Sequence, residues 1–242
     1  MDTTPSDAQV FTIPQGTFWA SPTEDSKMFY NLSKLKTFYD ADFAATMGAN
    51  LGHDAIVVDV GANIGEFSVA VAPHAKKVYA FEPVARSRAL LTKNTASFPN
   101  IEITACALGK EEGTVSLAPD TQNNSGTYRV TGSGTIPLRT LDSFDLAPNF
   151  IKIDVQGLDI RVIQGAMQTI KKHQPVVLFE ISDLTIKYGG IRSLREILPG
   201  YTLRFFPSLK EVSLINLWAE LMARYYLKRP RHYDILATPP EK

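Results

Sequence analysis

A single cysteine, Cys106, stands in a chain of 242 residues. It allows neither an internal disulfide nor a thiolate zinc cluster, which excludes a disulfide-stapled secreted module and agrees with a reducing compartment. An excess of one charge is also missing, since 25 Lys and Arg oppose 25 Asp and Glu. Neutralising phosphates takes clustered basic side chains, and only residues 224–231 are locally basic, so no nucleic-acid partner is expected. Long apolar runs are lacking too. Residues 55–58 and 176–179 are the best candidates, far short of the roughly 18 residues of a transmembrane helix. Residues 1–15 hold no basic stretch followed by an apolar one, so no secretory signal is read and a cytoplasmic address is expected. His53, His74, His173 and His232 are too scattered for metal-ligand spacing, and no metal is expected.

What is present is a hydrophobic share of 44% and a repeating strand, turn and helix pattern. Strands are expected at 55–60, 77–81, 101–106, 150–155, 175–181, 201–206 and 233–238. Short ones at 114–117 and 135–138 flank a polar loop at 122–134. Helices are expected up to residue 72, over 86–97, over 158–171 and, as an amphipathic stretch, over 212–227. Such alternation implies an α/β fold, a mostly parallel sheet with helices on both faces, and a ligand at the carboxyl ends of the strands. Ahead of it Ser21-Pro22-Thr23-Glu24 matches a capping box, with Glu24 reaching back to Ser21. Met28, Leu32, Leu35 and Phe38 then recur at helical spacing, so a helix is expected from residue 22 to about 48. The resulting plan is an N-terminal helical extension over 1–50, able to close over a pocket, and one globular unit over 51–242.

The most informative stretch is Asp59-Val60-Gly61-Ala62-Asn63-Ile64-Gly65-Glu66, a strand ending in a glycine turn that opens a helix. A dinucleotide fingerprint needs G-x-G-x-x-G, and Asn63 and Glu66 occupy its second and third glycine positions, which disfavours NAD. Glu66 would also repel a pyrophosphate at the helix start. One strand later, Phe81-Glu82-Pro83 puts a carboxylate at the sheet's edge, where an acid commonly accepts two ribose hydroxyls. A glycine turn without the dinucleotide spacing, joined to such an acid, fits S-adenosylmethionine (SAM), a cationic nucleoside without phosphate. Asp59, Glu66 and Glu82 would face its positive charge.

Asp59 through Gly65, Phe81-Glu82-Pro83, Ala105-Cys106-Ala107-Leu108-Gly109, Leu141-Asp142 and Lys152-Ile153-Asp154-Val155-Gln156-Gly157 come in the order and spacing of FkbM-type SAM-dependent methyltransferases. The chain resembles that family over residues 55–183, with Gly165-Ala166 and Val177-Leu178-Phe179-Glu180 continuing the likeness. The resemblance implies a Rossmann-like class I methyltransferase fold with a seven-stranded sheet, and O-methylation of a saccharide or natural-product hydroxyl. It implies Gly61, Ala62, Asn63 and Gly65 around the methionine moiety, Glu82 on the ribose, Cys106 and Ala107 near the adenine, and Asp154 near the transferring methyl. Asp154 also ends the strand expected to neighbour the first one at the switch point, although capping the next helix is a second role open to it.

Two departures bear on the chemistry. Gln156 and Asp159 stand where the family usually has glutamates, and Gln156 can hydrogen-bond but cannot take a proton. Asp154 and Glu180, with Asp159 behind them, remain candidates for a base within about 3 Å of the acceptor hydroxyl. The resemblance makes the polar loop a cover for cofactor and substrate, so Asn124 and Ser125 join Gln156 as candidate acceptor contacts. The strand ending at Asp154 lacks an Asn/Asp-Pro-Pro-aromatic clamp for a flipped base. Two other readings stay open, a non-catalytic scaffold of the same fold and an NAD-dependent oxidoreductase. Acceptor identity and oligomeric state, a homo-oligomer included, are not encoded in these motifs.

Overall fold

The structure is a computed structural model describing residues 3–35, 51–119, 128–181, 185, 194–206, 210–211 and 233–240. The expected helix over 212–227 and the loop residues Asn124 and Ser125 lie outside the described residues. The chain condenses into two compact units, one of residues 1–107 and 113–137, the other of residues 108–112 and 138–242. Among the described residues no helix is long and apolar enough to cross a membrane.

The first unit opens with a hairpin that the sequence reading missed. Strands β1 (Gln9–Ile13) and β2 (Gly16–Ala20) pair antiparallel, with Ile13 opposite Gly16 and Pro14-Gln15 forming the turn. Its signal was present: alternation buries Phe18 and Ala20 while Thr17 faces outward. Helix α1 then spans Ser26–Tyr30 and passes into a π-helical turn, Asn31–Leu35, and the rest of the helix expected to about residue 48 lies outside the described residues. Ser21 does accept from the Glu24 N–H at 3.2 Å, as a capping box requires. The helix nevertheless starts later, because Asp25 is the residue that caps it, accepting from the Met28 N–H at 2.8 Å.

Strands β3 (Ile56–Val60), β4 (Lys77–Phe81) and β5 (Ile101–Thr104) run parallel in that order. β-branched residues covered on both faces explain their near-continuous burial; Val57, Val58, Val60, Ala80 and Phe81 are at most 1% exposed. Helix α2 (Glu66–Val71) follows β3, and α3 (Ala85–Asn94) follows β4. Leu91 of α3 packs with Ala62 and Ala80 against Ile101 and Ile103. Farther along, β6 (Ala107–Leu108), β7 (Gly113–Pro119) and β8 (Tyr128–Arg139) make a three-stranded sheet. β8 begins at Tyr128, inside the expected loop. Its glycines and serines gave no strand signal, yet Ser116 donates to the Ser133 carbonyl at 3.0 Å and holds the two strands together.

In the second unit β9 (Phe150–Ile153) runs parallel to β10 (Val176–Ile181). β13 (Tyr233–Thr238) runs antiparallel to both β10 and β11 (Thr202–Phe206), so β10 and β11 share one direction. Two-residue β12 (Lys210–Glu211) adds an antiparallel edge to β11. The large, mostly parallel sheet thus holds the seven anticipated strands and an eighth in β12. The helix expected over 158–171 is two helices, α4 (Asp159–Gln164) and α5 (Met167–His173). The break falls at Gly165, where a Cβ would be driven into the Gly109 carbonyl oxygen, so the backbones approach too closely for a side chain. A further short helix, α6 (Leu194–Ile197), precedes β11.

Candidate active site

The glycine turn hangs from the end of β4. The N–H groups of Gly61 and Ala62 both donate to the Phe81 carbonyl, at 3.0 and 3.1 Å. Gly61 sits at φ +80 and Asn63 at φ +50, the left-handed region that glycine tolerates and an asparagine enters at a cost. Gly65, at φ +97, has a packing reason as well, because a Cβ there would lie 2.6 Å from the Leu91 side chain. Asp59 lies beneath the turn, fully buried, and its carboxylate accepts from the Ser68 hydroxyl of α2 at 2.6 Å.

Glu82 closes the turn from the other side. One carboxylate oxygen accepts from the Asn63 N–H at 2.8 Å and the other from the Val84 N–H at 2.7 Å. Arg88 supports the strand end by donating to the Glu82 and Pro83 carbonyls, at 2.9 Å each. Glu82 is 5% exposed. Burial pushes its carboxyl up to about 7, against the two N–H donors and the Arg88 charge, with the Asp59 charge adding to the rise. Beyond the neighbouring strand, Cys106 is buried and Ala107 half-buried. Asp59, Gly61, Ala62, Asn63, Gly65, Glu82, Cys106 and Ala107 all belong to this first unit.

The donor set suits a cation better than a phosphate. The Asn63 N–H that would cradle a pyrophosphate is already given to Glu82. Asn63 also donates its side-chain amide to Asp25 at 2.7 Å. Residues that sequence reasoning did not assign to the site are thus Asp25 and its neighbours. Glu24 does not reach back to Ser21; it is 2% exposed and receives the hydroxyls of Ser87 and Tyr128 at 2.9 Å each. The Arg86 guanidinium pairs with its other oxygen at 3.2 Å. A buried carboxylate is costly unless donors or a counter-charge satisfy it, and Ser87, Tyr128 and Arg86 supply both.

In the second unit β9 ends at Ile153 and the chain turns through Gln156 (φ +56) and Gly157 (φ +89). The Asp154 side chain is 43% exposed, with Lys152 Nζ 3.6 Å from one oxygen and Gln156 Nε2 donating to the other at 3.3 Å. Asp159 is fully buried and accepts from the Gly157 and Glu180 N–H groups at 3.1 and 3.3 Å. Its oxygens therefore brace the loop after β9. Burial, then the charge of Asp154, pushes its carboxyl up to about 7. Glu180 rises further, to about 9, through burial and the charges of Asp154, Asp159 and Asp234, which Lys152 only partly offsets. Asp234 had no sequence signal; the antiparallel register of β10 and β13 sets it opposite Glu180. Asp154, Gln156, Asp159 and Glu180 are thereby brought together.

Residues 59–204 match the family model described as the methyltransferase FkbM domain. The hexuronic acid methyltransferase AglP of Haloferax volcanii is 28% identical over 133 residues, or 52% of this chain and 55% of that protein. The chain therefore spans about half the length of this curated relative. The crystal structure of methyltransferase FkbM from Methylobacillus flagellatus KT is 23% identical, covering 63% of this chain and 40% of that one, at a TM-score of 0.46. The M. jannaschii tRNA m1G37 methyltransferase is 14% identical, covers 98% of this chain and 58% of that one, and has a TM-score of 0.51. That last likeness is one of fold alone.

Proposed function

Because the chain belongs to the FkbM methyltransferase family, we propose that it binds SAM at the glycine turn and methylates a hydroxyl of a saccharide. The observation that carries the cofactor assignment is Glu82, a buried carboxylate bonded to the turn through Asn63. Its remaining lone pairs suit two ribose hydroxyls, and a pyrophosphate would meet a carboxylate where it needs a free N–H. Gly61, Ala62, Asn63 and Gly65 are assigned to the methionine moiety, Cys106 and Ala107 to the adenine, and Asp59 to support from below. When bound, SAM supplies a methyl group on a sulfonium for direct displacement.

The protein's share is then to orient the acceptor hydroxyl and receive its proton. Asp154 is assigned as the proton acceptor, since it is the carboxylate with an exposed side chain while Asp159 is spent on two N–H donors. Glu180, held protonated at neutral pH, is assigned to donating a hydrogen bond to the acceptor. Gln156 orients Asp154 and, with Asn124 and Ser125, is assigned to polar groups of the acceptor. The saccharide class is supported by the uronic acid on which the Haloferax relative is named to act.

Calorimetric titration with SAM, S-adenosylhomocysteine and NAD in parallel tests the cofactor. Micromolar binding of the first two and none of NAD is expected, followed by S-adenosylhomocysteine release when hexuronic acid acceptors are screened. Failure of all three ligands would overturn the assignment and favour the scaffold reading that Gln156 keeps open.

A further inference from the structure

We propose that Asp25 is a positioning residue for the cofactor turn, holding Asn63 in the conformation that receives SAM; this rests on the SAM reading above. Asp25 lies outside the residues that match the family model, in the N-terminal segment. Its two oxygens do separate work. Oδ1 caps helix α1 by accepting from the Met28 N–H, while Oδ2 accepts from the Asn63 side-chain amide at 2.7 Å. Asn63 is a non-glycine residue at φ +50, a conformation that persists where the surroundings over-determine it. Two carboxylates grip it: Glu82 takes the backbone N–H and Asp25 takes the side chain.

Asp25 is itself fixed in place. Its N–H donates to the Ser21 carbonyl at 2.9 Å. Next to it, buried Glu24 is held by Ser87, Tyr128 and Arg86. Asn94 of α3 donates to the Trp19 carbonyl at 2.9 Å and to the Ile64 carbonyl at 2.7 Å, tying β2 and the glycine turn to one side chain. The N-terminal segment is thus anchored to α3 and delivers a carboxylate to a turn otherwise built from β3 and β4.

Asp25→Ser separates the two oxygens, since serine caps a helix about as well as aspartate but cannot also reach Asn63. Asp25→Thr is the second variant: its hydroxyl caps the helix on the Met28 N–H but is too short to reach the Asn63 amide as well. Both are expected to stay cooperatively folded, with the unfolding midpoint lowered by no more than the loss of that one hydrogen bond, and to weaken SAM binding about tenfold because Asn63 is no longer held in the receiving conformation. A structural role would persist in any background, so the deciding measurement is a cycle with Asn63→Gly, which keeps the left-handed turn and removes the side chain. In that background Asp25→Ser should change SAM affinity by less than about twofold. SAM affinity within twofold of the unaltered chain in both single variants, or a full loss that survives in the Asn63→Gly background, would overturn the inference while leaving the SAM reading intact. An unaltered chain that binds neither SAM nor S-adenosylhomocysteine overturns both.

Discussion

Glu82 is pulled in two directions. At 5% exposure, burial favours its neutral form and raises it to about 7, whereas two ribose hydroxyls are best received by the ionised form. SAM affinity is therefore expected to rise as pH goes from about 6 to 8, the range in which a group of that value ionises. Glu82→Gln should bind more weakly and show no such rise in titrations at several pH values. A variant that keeps the full pH dependence would show that another group titrates. Glu82 was legible in the sequence because a strand end, an acid and a proline sit within three consecutive residues. Asp25 was not, because its partner Asn63 lies 38 positions away. Glu24 was misread for the same reason. A capping box assumes a local partner, and the structure gives Glu24 to Ser87 and Tyr128, the latter 104 positions distant.

Among the elements, strands were read more faithfully than helices. β4 and β13 fall on their expected bounds, since short β-branched runs flanked by turn residues carry their own signal. The helix after β9 was expected unbroken because Leu158 to Lys171 keeps a helical period across the interruption. Its break at Gly165 follows from the approach of the Gly109 carbonyl, and this close contact has a measurable cost. Gly165→Ala should lower stability by about 3 kcal/mol, the upper range for overpacking, because the obstacle is backbone and cannot rotate away. Urea unfolding would show a lower midpoint at unchanged slope; a loss under about 0.5 kcal/mol would mean that the two loops separate freely. The hairpin β1 to β2 and the extension of β8 back to Tyr128 were missed through their turn and glycine residues, which speak against strands until a partner is at hand.

For the molecule as a whole, three buried carboxyls set a pH profile. Glu82, Asp159 and Glu180 have folded values of about 7, 7 and 9, each above its ordinary value of 4.5, 3.8 and 4.5. The folded chain keeps protons that the unfolded chain has released, so the stability they contribute is full below their ordinary values and is lost as pH rises through the folded ones. All three act between about pH 5 and 7, and Glu180 continues to about 9. Asp7 and Glu112, held low by their hydrogen-bond partners, act only toward acid, outside that window. The unfolding free energy should thus be lower at pH 8.5 than at pH 6. Glu180→Gln should flatten the limb above pH 7, where Glu180 is faced by Asp154, Asp159, Asp234 and Lys152. A profile that climbs from pH 6 to 9, or a variant with the same alkaline slope, would contradict the burial argument.

The α/β plan, the glycine turn, the carboxylate at the end of β4 and the family motifs were all determined by the sequence alone. Each depends on residues within a few positions of one another, where hydrophobic period, glycine and chain direction act directly. The second hand on Asn63, the pairing of Glu180 with Asp234, the bracing of the loop after β9 by Asp159 and the break at Gly165 were decided by tertiary structure. Those depend on which distant segments the folded chain brings within hydrogen-bond or van der Waals distance, and on how much water it removes from a carboxylate. Neither quantity is a property of any short stretch of sequence.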